Sequence, residues 1–146
     1  MDALYAYRAL FKPSAQLATP HAVVLTNVVA ADTDEEAWRL FTTVQQQFTR
    51  MRRNTRGQLP PPIDDIESFW TPQEKASVMQ TLSCAVVGSR ASVEKGLQAL
   101  VNKTGANELM FAGQIFDHGA RLRSFEIVAQ AMANVHTSPA QVLETV

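Results

Sequence analysis

Three short apolar runs, each followed by a helical pattern, constrain the fold of this chain most strongly. The first run, residues 22–30 (AVVLTNVVA), is rich in β-branched side chains and almost continuously apolar. Such a run predicts a strand covered on both faces, as in parallel sheets. Residues 84–87 and 108–115 predict two further strands. Because strands that alternate with helices form parallel sheets, the pattern predicts an α/β fold with parallel strands and outer helices.

Two of the intervening helices are marked by capping boxes. Thr33 is followed three residues later by Glu36, and Thr71 by Glu74, with Pro72 at the first helical position. A Thr and Glu at this spacing satisfy each other's backbone amides at a helix start. One apolar face is predicted for the first of these helices, made of Ala37, Leu40, Phe41, Val44, Phe48 and Met51.

Three other helices follow from apolar spacing. They are residues 2–11, a helix after Gly88-Ser89 that is capped by Gly105, and residues 121–132. The middle one has its apolar face at Val93, Leu97, Leu100 and Val101.

Residues 54–68 predict a flexible loop, because they contain Gly57 and three consecutive prolines. A long loop inside a domain is usually a functional lid or a connector, and we expect this one to be sensitive to proteases. Four arginines precede or enter it: Arg50, Arg52, Arg53 and Arg56. They predict a solvated helix end, with a phosphate-binding lid as the alternative.

Composition excludes several classes of protein. The 146 residues are 46% hydrophobic and 18% charged, which suits one globular domain. A net charge of -1 without a basic half argues against nucleic-acid binding and a polybasic membrane surface. No apolar run approaches the roughly 20 residues that span a bilayer. The start lacks the pattern of a secretory signal, so we expect a cytoplasmic protein. The single cysteine, Cys84, lies in an apolar run and predicts a buried, inert thiol.

Three stretches carry a resemblance to a known family. They are residues 7–17 (YRALFKPSAQL) with 30–37 (AADTDEEA), residues 59–62 (LPPP) with 86–89 (VVGS), and residues 104–110 (TGANELM) followed by Asp117, His118, Arg121, Arg123 and Ser124. In order and spacing, they resemble the luciferase-like flavin monooxygenases over nearly the whole chain, up to about Ala131.

The resemblance implies a (β/α)8 barrel that uses reduced FMN, or the deazaflavin F420, and O2 to oxidise a small organic substrate. A flavin reductase is the implied partner. Since a full barrel needs about 250 residues, the chain is similar to a C-terminal segment: a partial TIM barrel made of the last three strand–helix units. In the family, a Ser-rich stretch upstream of this segment holds the flavin phosphate. We therefore expect weak flavin binding and no activity from this chain alone. The alternative is a non-catalytic oligomeric α/β domain.

Three parallel strands leave two open edges, which soluble proteins seldom expose. We expect the face of Leu109, Phe111 and Ile115 to be uncovered within one chain. A second copy would cover it, so the sequence predicts a homo-oligomer, most simply with two-fold symmetry.

Candidate site residues lie at the ends of the predicted strands, where such barrels bind their ligands. Asn27 is a polar residue in the first strand, and a hydrogen-bonded core amide is the alternative. Gly88-Ser89-Arg90 opens a helix whose free amides could hold a phosphate, although Ser89 could be a simple N-cap.

Gln114 and His118 follow the third strand. His118 could act as an acid, a base or a flavin contact, because a histidine side chain can hold either protonation state near neutral pH. Alternatively, Asp117 or His118 caps the last helix. No spacing links His118 with His21 and His136, so we predict no metal site.

Overall fold

The computed structural model describes residues 2–55 and 57–137. Within them lie five helices and three strands: α1 (Asp2–Leu10), β1 (Val23–Ala30), α2 (Asp34–Arg52), α3 (Pro72–Thr81), β2 (Val86–Gly88), α4 (Arg90–Thr104), β3 (Glu108–Ala112) and α5 (His118–Met132). The predicted α/β class, with parallel strands and flanking helices, is confirmed. No helix of the described residues is long and apolar enough to cross a membrane.

The strands form one parallel sheet in the order β2-β1-β3. β2 lies beside the carboxyl end of β1, where Val28 pairs with Val86 and Ala30 with Gly88. β3 lies beside the amino end, with pairs running from Val23 with Glu108 to Asn27 with Ala112. The central strand β1 is therefore paired with β3 on one edge along its first five residues and with β2 on the other edge along its last three. The sequence pattern does not specify this arrangement.

Helices cover both faces of the sheet at the carboxyl end of β1. Val28 and Ala30 pack with α4 and α5, and the neighbouring Val29 packs with α2 and α3. This division follows from the alternation of side chains along a strand. All three residues are at most 1% exposed.

The amino half of β1 is not covered in this way, and this corrects the expectation of a strand buried on both faces. Val23 is 49% exposed and Leu25 is 61% exposed. Met110, the cross-strand partner of Leu25, is 57% exposed. The three side chains share one face, which we call the open patch, and no helix of the described residues packs over it.

The prediction that Leu109, Phe111 and Ile115 form an uncovered face is wrong. Leu109 and Phe111 pack against the cluster of α4 and α5, and Ile115 is 1% exposed within the cluster of α2 and α3. Leu109 and Phe111 are covered because they point to the opposite face from Met110.

The capping residues Thr33, Thr71 and Gly105 were predicted correctly, but only the second of the two predicted capping boxes is complete. Thr33 Oγ accepts from the amide of Glu36, and Thr71 with Glu74 forms a complete capping box after which Pro72 opens α3. Gly105 ends α4 with a φ of 58°, a left-handed conformation that glycine adopts at no steric cost.

Several boundaries differ from the prediction. β2 begins at Val86 rather than at residue 84, and β3 ends at Ala112. Cys84 consequently lies before the strand and is exposed, so the prediction of a buried thiol is wrong. α5 begins at His118, three residues earlier than predicted. Met51 is 61% exposed, because the apolar face of α2 loses contact with the sheet near its end.

The proline-rich segment lies across the polar side of α2. Thr43 Oγ donates to the carbonyl of Pro60 at 3.1 Å, and Gln46 Nε2 donates to that of Pro61 at 2.9 Å. Prolines have no N–H, so only their carbonyls can take part in such contacts. On this side of α2 the polar residues Thr42, Thr43, Gln45, Gln46 and Thr49 are buried, and three of them, Thr42, Thr43 and Gln46, bond to the segment. Residues 60–61 are thus held on α2, while the flexibility of residues 54–68 stays a prediction.

Arg52 and Arg53 at the end of α2 are exposed to solvent, as predicted, and they also bond to α3. Arg53 makes a two-pronged ion pair with Glu74, at 2.7 and 2.9 Å, and Arg52 donates to the carbonyl of Ser77 and the hydroxyl of Thr81. Both tie α2 to α3. Arg56 lies outside the described residues.

Candidate functional site

The carboxyl ends of β1 and β2 meet because the two strands are parallel and in register. Ala30 pairs with Gly88, and the amide of Ala31 donates to the carbonyl of Gly88 at 3.3 Å. The segment after β1 therefore lies beside Gly88 and Ser89. We call this region the carboxyl edge.

A carboxylate occupies the start of α4. Asp34 Oδ1 accepts a hydrogen bond from the backbone amide of Ser89. This bond, with smaller contributions from the hydroxyls of Ser92 and Ser89, holds the pKa of Asp34 below its usual value. Ser89 is the N-cap residue of α4, but its side chain makes no capping bond. The amide that could have received a ligand is thus already bonded within the chain.

Gly88 permits this arrangement. Its φ of 150° is rarely adopted by residues with a side chain. A Cβ at this position would lie 2.5 Å from Ser92 Cβ and 2.7 Å from Asp34 Oδ1. No other residue fits here without moving α4 or the start of α2.

The start of α5 is fastened to the end of β1 by two polar contacts. Arg123 donates to Asp32 Oδ1 from Nη2 at 2.7 Å and from Nε at 3.2 Å, and these bonds raise the pKa of Arg123. Ser124, which is 2% exposed, accepts from the amide of Ala30 at 2.9 Å. Between these elements lies a cleft of about 300 Å³, lined by Ala30, Ala31, Asp32, Thr33, Glu36, Leu40, Ala120 and Arg123.

The segment after β3 carries the other predicted site residues. Asp117 caps α5 by accepting from the amide of Ala120 at 2.7 Å, which was the simpler of the two interpretations. His118 is exposed, and its Nδ1 lies 2.8 Å from Arg121 Nη2. Arg121 can only donate, so Nδ1 accepts and the neutral ring carries its proton on Nε2. His118 can therefore present an N–H to a ligand.

The predicted candidates are only partly brought together. Gly88 and Ser89 lie at the end of β2, beside the end of β1, whereas Arg90 is exposed on the first turn of α4. Asn27 is half-buried and paired with Ala112, and Gln114 is exposed. Neither the Asn27 nor the Gln114 side chain forms a hydrogen bond within the part of the chain that the structure describes, so Asn27 is not a bonded core amide.

Sequence reasoning missed the polar residues that organise this edge, namely Asp32, Asp34, Arg123 and Ser124. Asp34 lies in the first turn of α2, shortly after β1. Its position after a strand end was a usable signal, because this is where parallel sheets place ligand contacts. Within residues 2–55 and 57–137, no group of three or more His, Cys, Asp or Glu side chains could hold a metal ion.

Comparison with known proteins decides the family. No protein-family model matches the chain. Over 126 residues, however, it is 51% identical to a luciferase-like monooxygenase of Escherichia coli (strain K12). That match covers 86% of this chain and 38% of the relative. The chain belongs to the luciferase-like monooxygenase family.

Two further matches to this luciferase-like chain also cover most of it and about two fifths of the matched protein. The uncharacterized protein YvbT of Bacillus subtilis (strain 168) is 42% identical over 134 residues, covering 92% of this chain and 40% of YvbT. The crystal structure of apo-MsnO8 superposes with a TM-score of 0.71 at 27% identity, covering 94% of this chain and 42% of that one. The chain thus spans about two fifths of the length of its relatives, which is consistent with the predicted C-terminal segment of a barrel.

Proposed function

We propose that this chain supplies part of a flavin-dependent monooxygenase that uses reduced FMN and O2 to oxidise a small organic substrate. The observation that carries the proposal is the 51% identity to a luciferase-like monooxygenase over 126 residues. The deazaflavin F420 is the alternative cofactor, and a flavin reductase would supply the reduced flavin.

Within that function, the carboxyl edge is the part of this chain that would face the ligands. Ligands of parallel α/β proteins bind outside the carboxyl ends of the strands. Of the predicted candidates, His118 can present Nε2–H, and Asn27 and Gln114 have side-chain amides that form no hydrogen bond among the described residues. These three residues would position a substrate or a flavin ring by hydrogen bonds.

The flavin phosphate does not fit the site predicted for it. The amide of Ser89 is bonded to Asp34, and the phosphate dianion would meet an ionised carboxylate there. Like charges in contact repel each other strongly. We therefore propose that the phosphate is held outside Gly88-Ser89-Arg90, and that the isolated chain binds FMN weakly and is inactive.

A binding experiment tests this. FMN fluorescence is titrated with the purified chain, alone and after co-expression with the part of the Escherichia coli relative that has no counterpart here. We expect a stoichiometric flavin only in the combined protein, together with O2 consumption when a flavin reductase and NADH are present. Tight FMN binding by the chain alone would contradict the proposed location of the phosphate. A combined protein without flavin would contradict the proposed function.

The second candidate is a non-catalytic domain that self-associates. The open patch of Val23, Leu25 and Met110 favours it, since contiguous exposed apolar side chains mark interaction surfaces. Light scattering at micromolar concentration separates the two. A stable dimer of the wild-type chain that Leu25→Glu converts to monomer would support the second candidate, whereas a wild-type monomer would refute it.

A further inference from the structure

A groove of about 610 Å³ runs along α2 on the side away from the carboxyl-edge cleft. Its walls are the first half of α2, residues 63–67 of the proline-rich segment, and α3. Neighbouring residues of α2 face different cavities: Glu35 and Trp38 line the groove, while Glu36 and Leu40 line the cleft. The groove is therefore separate from the proposed monooxygenase site.

Hydrogen bonds fix the wall that the proline-rich segment provides. The amide of Ile63 donates to Thr42 Oγ at 2.9 Å, and Arg39 Nε donates to Asp64 Oδ1 at 2.9 Å. On the far side, Lys75 Nζ lies 2.8 Å from Glu67 Oε1. Hydrogen bonds from α2 and from α3 thus fix the position of residues 63–67 along the groove.

The groove walls are rich in aromatic and aliphatic surface. Both tryptophans of the chain line it, together with Ile63, Ile66 and Met79. Trp38 is 48% exposed although it is the largest type of side chain. Its ring is held edge-on against Phe41, with centroids 5.5 Å apart and an angle of 82°. The indole is therefore kept in place while much of its surface stays open to a ligand.

The charges on the walls do not cancel. Five charged side chains line the groove: Glu35, Asp64 and Glu67 are negative, and Arg39 and Lys75 are positive. Both positive groups are engaged in salt bridges, with Asp64 and Glu67 respectively. Glu35 forms no salt bridge or hydrogen bond within the described residues. It lies one helical turn before Trp38, so a carboxylate without a partner adjoins an open indole.

A buried amide provides a further polar contact at the groove. Gln45 lines it and is 5% exposed. Its Nε2 donates only to Met79 Sδ at 3.4 Å, and thioether sulfur is a weak acceptor. No donor among the described residues reaches Gln45 Oε1. Gln45 Oε1 is not among the fully buried atoms without a partner, so it is open to solvent and available to a ligand in the groove.

We propose that this groove binds an apolar organic cation, an amine whose body is about the size of one or two aromatic rings. The ammonium group lies between the Glu35 carboxylate and the Trp38 ring, where ion pairing and the cation–π attraction act together. The body covers Ile66, Trp70 and Met79. This site does not depend on flavin binding or on the proposed oxidation.

The test uses two probes with the same ring and opposite charge, 1-naphthylmethylammonium and 1-naphthoate. Each is titrated into the ¹⁵N-labelled chain while the two indole N–H signals and the Gln45 side-chain amide are followed by NMR. We expect the cation to shift all three signals saturably and to bind about tenfold more tightly than the anion, the difference that a cation–π contact and one ion pair would give.

Variants locate the site. Glu35→Gln should weaken binding of the cation about fivefold, and Trp38→Ala about tenfold or more. Trp38→Phe keeps a ring and should retain part of the affinity, which separates loss of the cation–π contact from loss of folding. Glu36→Gln removes the adjacent charge on the same helix. Glu36 lines the cleft and reaches the groove only through its 3.7 Å pair with Arg39, so this variant is the matched control and should change the affinity less than twofold. Equal binding of the two probes, or equal effects of Glu35→Gln and Glu36→Gln, would overturn the proposal.

Discussion

The two halves of β1 have similar sequences and opposite environments. The amino half contains Val23 and Leu25, which are 49% and 61% exposed, and the carboxyl half contains Val28 and Val29, which are 1% and 0% exposed. Composition alone would place all four in a core. The difference shows that burial along a strand depends on which helices reach it.

The helices cover the two faces of the sheet unequally. On one face α4 and α5 also reach the amino half, because Leu109 and Phe111 pack against their cluster and Thr26 is 4% exposed. α2 and α3 cover one face of the carboxyl half, and α4 and α5 cover the other, whereas the open patch has no helix over it within the described residues. Polar contacts occur at both ends, since the amide of Ala22 donates to Asn107 Oδ1 and Thr26 Oγ donates to the carbonyl of Cys84. Asp32, Asp34 and Ser124 bond at the carboxyl edge. The carboxyl half is therefore the more completely covered half of β1 and adjoins the candidate site.

The largest effect on stability is expected from substitution of Gly88, which pairs with Ala30 in the carboxyl half of β1. Gly88→Ala would force a side chain into a left-handed conformation and against Ser92, so we expect the free energy of unfolding to fall by about 3 kcal/mol or more. Gly57→Ala is the control, because a Cβ there meets nothing within 4 Å. Urea denaturation measures both. Equal stability of the two variants would show that the carboxyl edge is not tightly packed.

Paired truncations within β1 test the comparison directly. Val29→Ala should cost about 2–3 kcal/mol, because it removes two methyl groups from a closed core and leaves a cavity. Leu25→Ala removes more atoms but should cost less than about 1 kcal/mol, because its side chain is already mostly in water. The measurement is again the free energy of unfolding in urea. If Leu25→Ala is as costly as Val29→Ala, then the open patch is covered in solution, as self-association would require.

A smaller effect is expected at Asp34. Asp34→Ala frees the amide of Ser89 and removes a charge-assisted hydrogen bond, so the urea midpoint should fall, though by less than for Val29→Ala. Glu35→Ala removes a neighbouring first-turn acid that bonds to nothing in the described residues and controls for the helix dipole. A midpoint as high for Asp34→Ala as for Glu35→Ala would show that the bond to Ser89 does not hold the edge together.

The smallest effect concerns the attachment of α3, which covers only the carboxyl half. Arg53 and the capping amide of Thr71 lower the pKa of Glu74 from 4.5 to about 2. A carboxyl whose folded pKa is depressed contributes stability above its unfolded pKa and loses it as the pH falls through the folded value. Stability should therefore decline between about pH 4.5 and pH 2, and Glu74→Gln should flatten that decline. Chemical denaturation across this range checks it. An identical pH profile in the variant would assign the acid sensitivity to other carboxyls, such as Asp34.

Most local structure was predictable because short-range chemistry sets it. The caps at Thr33, Thr71 and Gly105 depend on residues within four positions of one another, and all three were identified correctly. The apolar period of α4 likewise identified its buried face. The family could also be inferred, since motif order along the chain is itself a property of the sequence.

The remaining features depend on contacts between distant residues. Ser89 meets Asp34 across 55 positions, and Ala30 meets Ser124 across 94, so no local pattern shows that these groups bond. The polar side of α2 is a similar case, because it bonds to the proline-rich segment, which lies across the helix. The strand order decided which half of β1 is covered. Sequence thus determined the elements and their caps, whereas the tertiary structure alone decided their neighbours, because hydrogen bonds and burial between elements depend on how the whole chain folds back on itself.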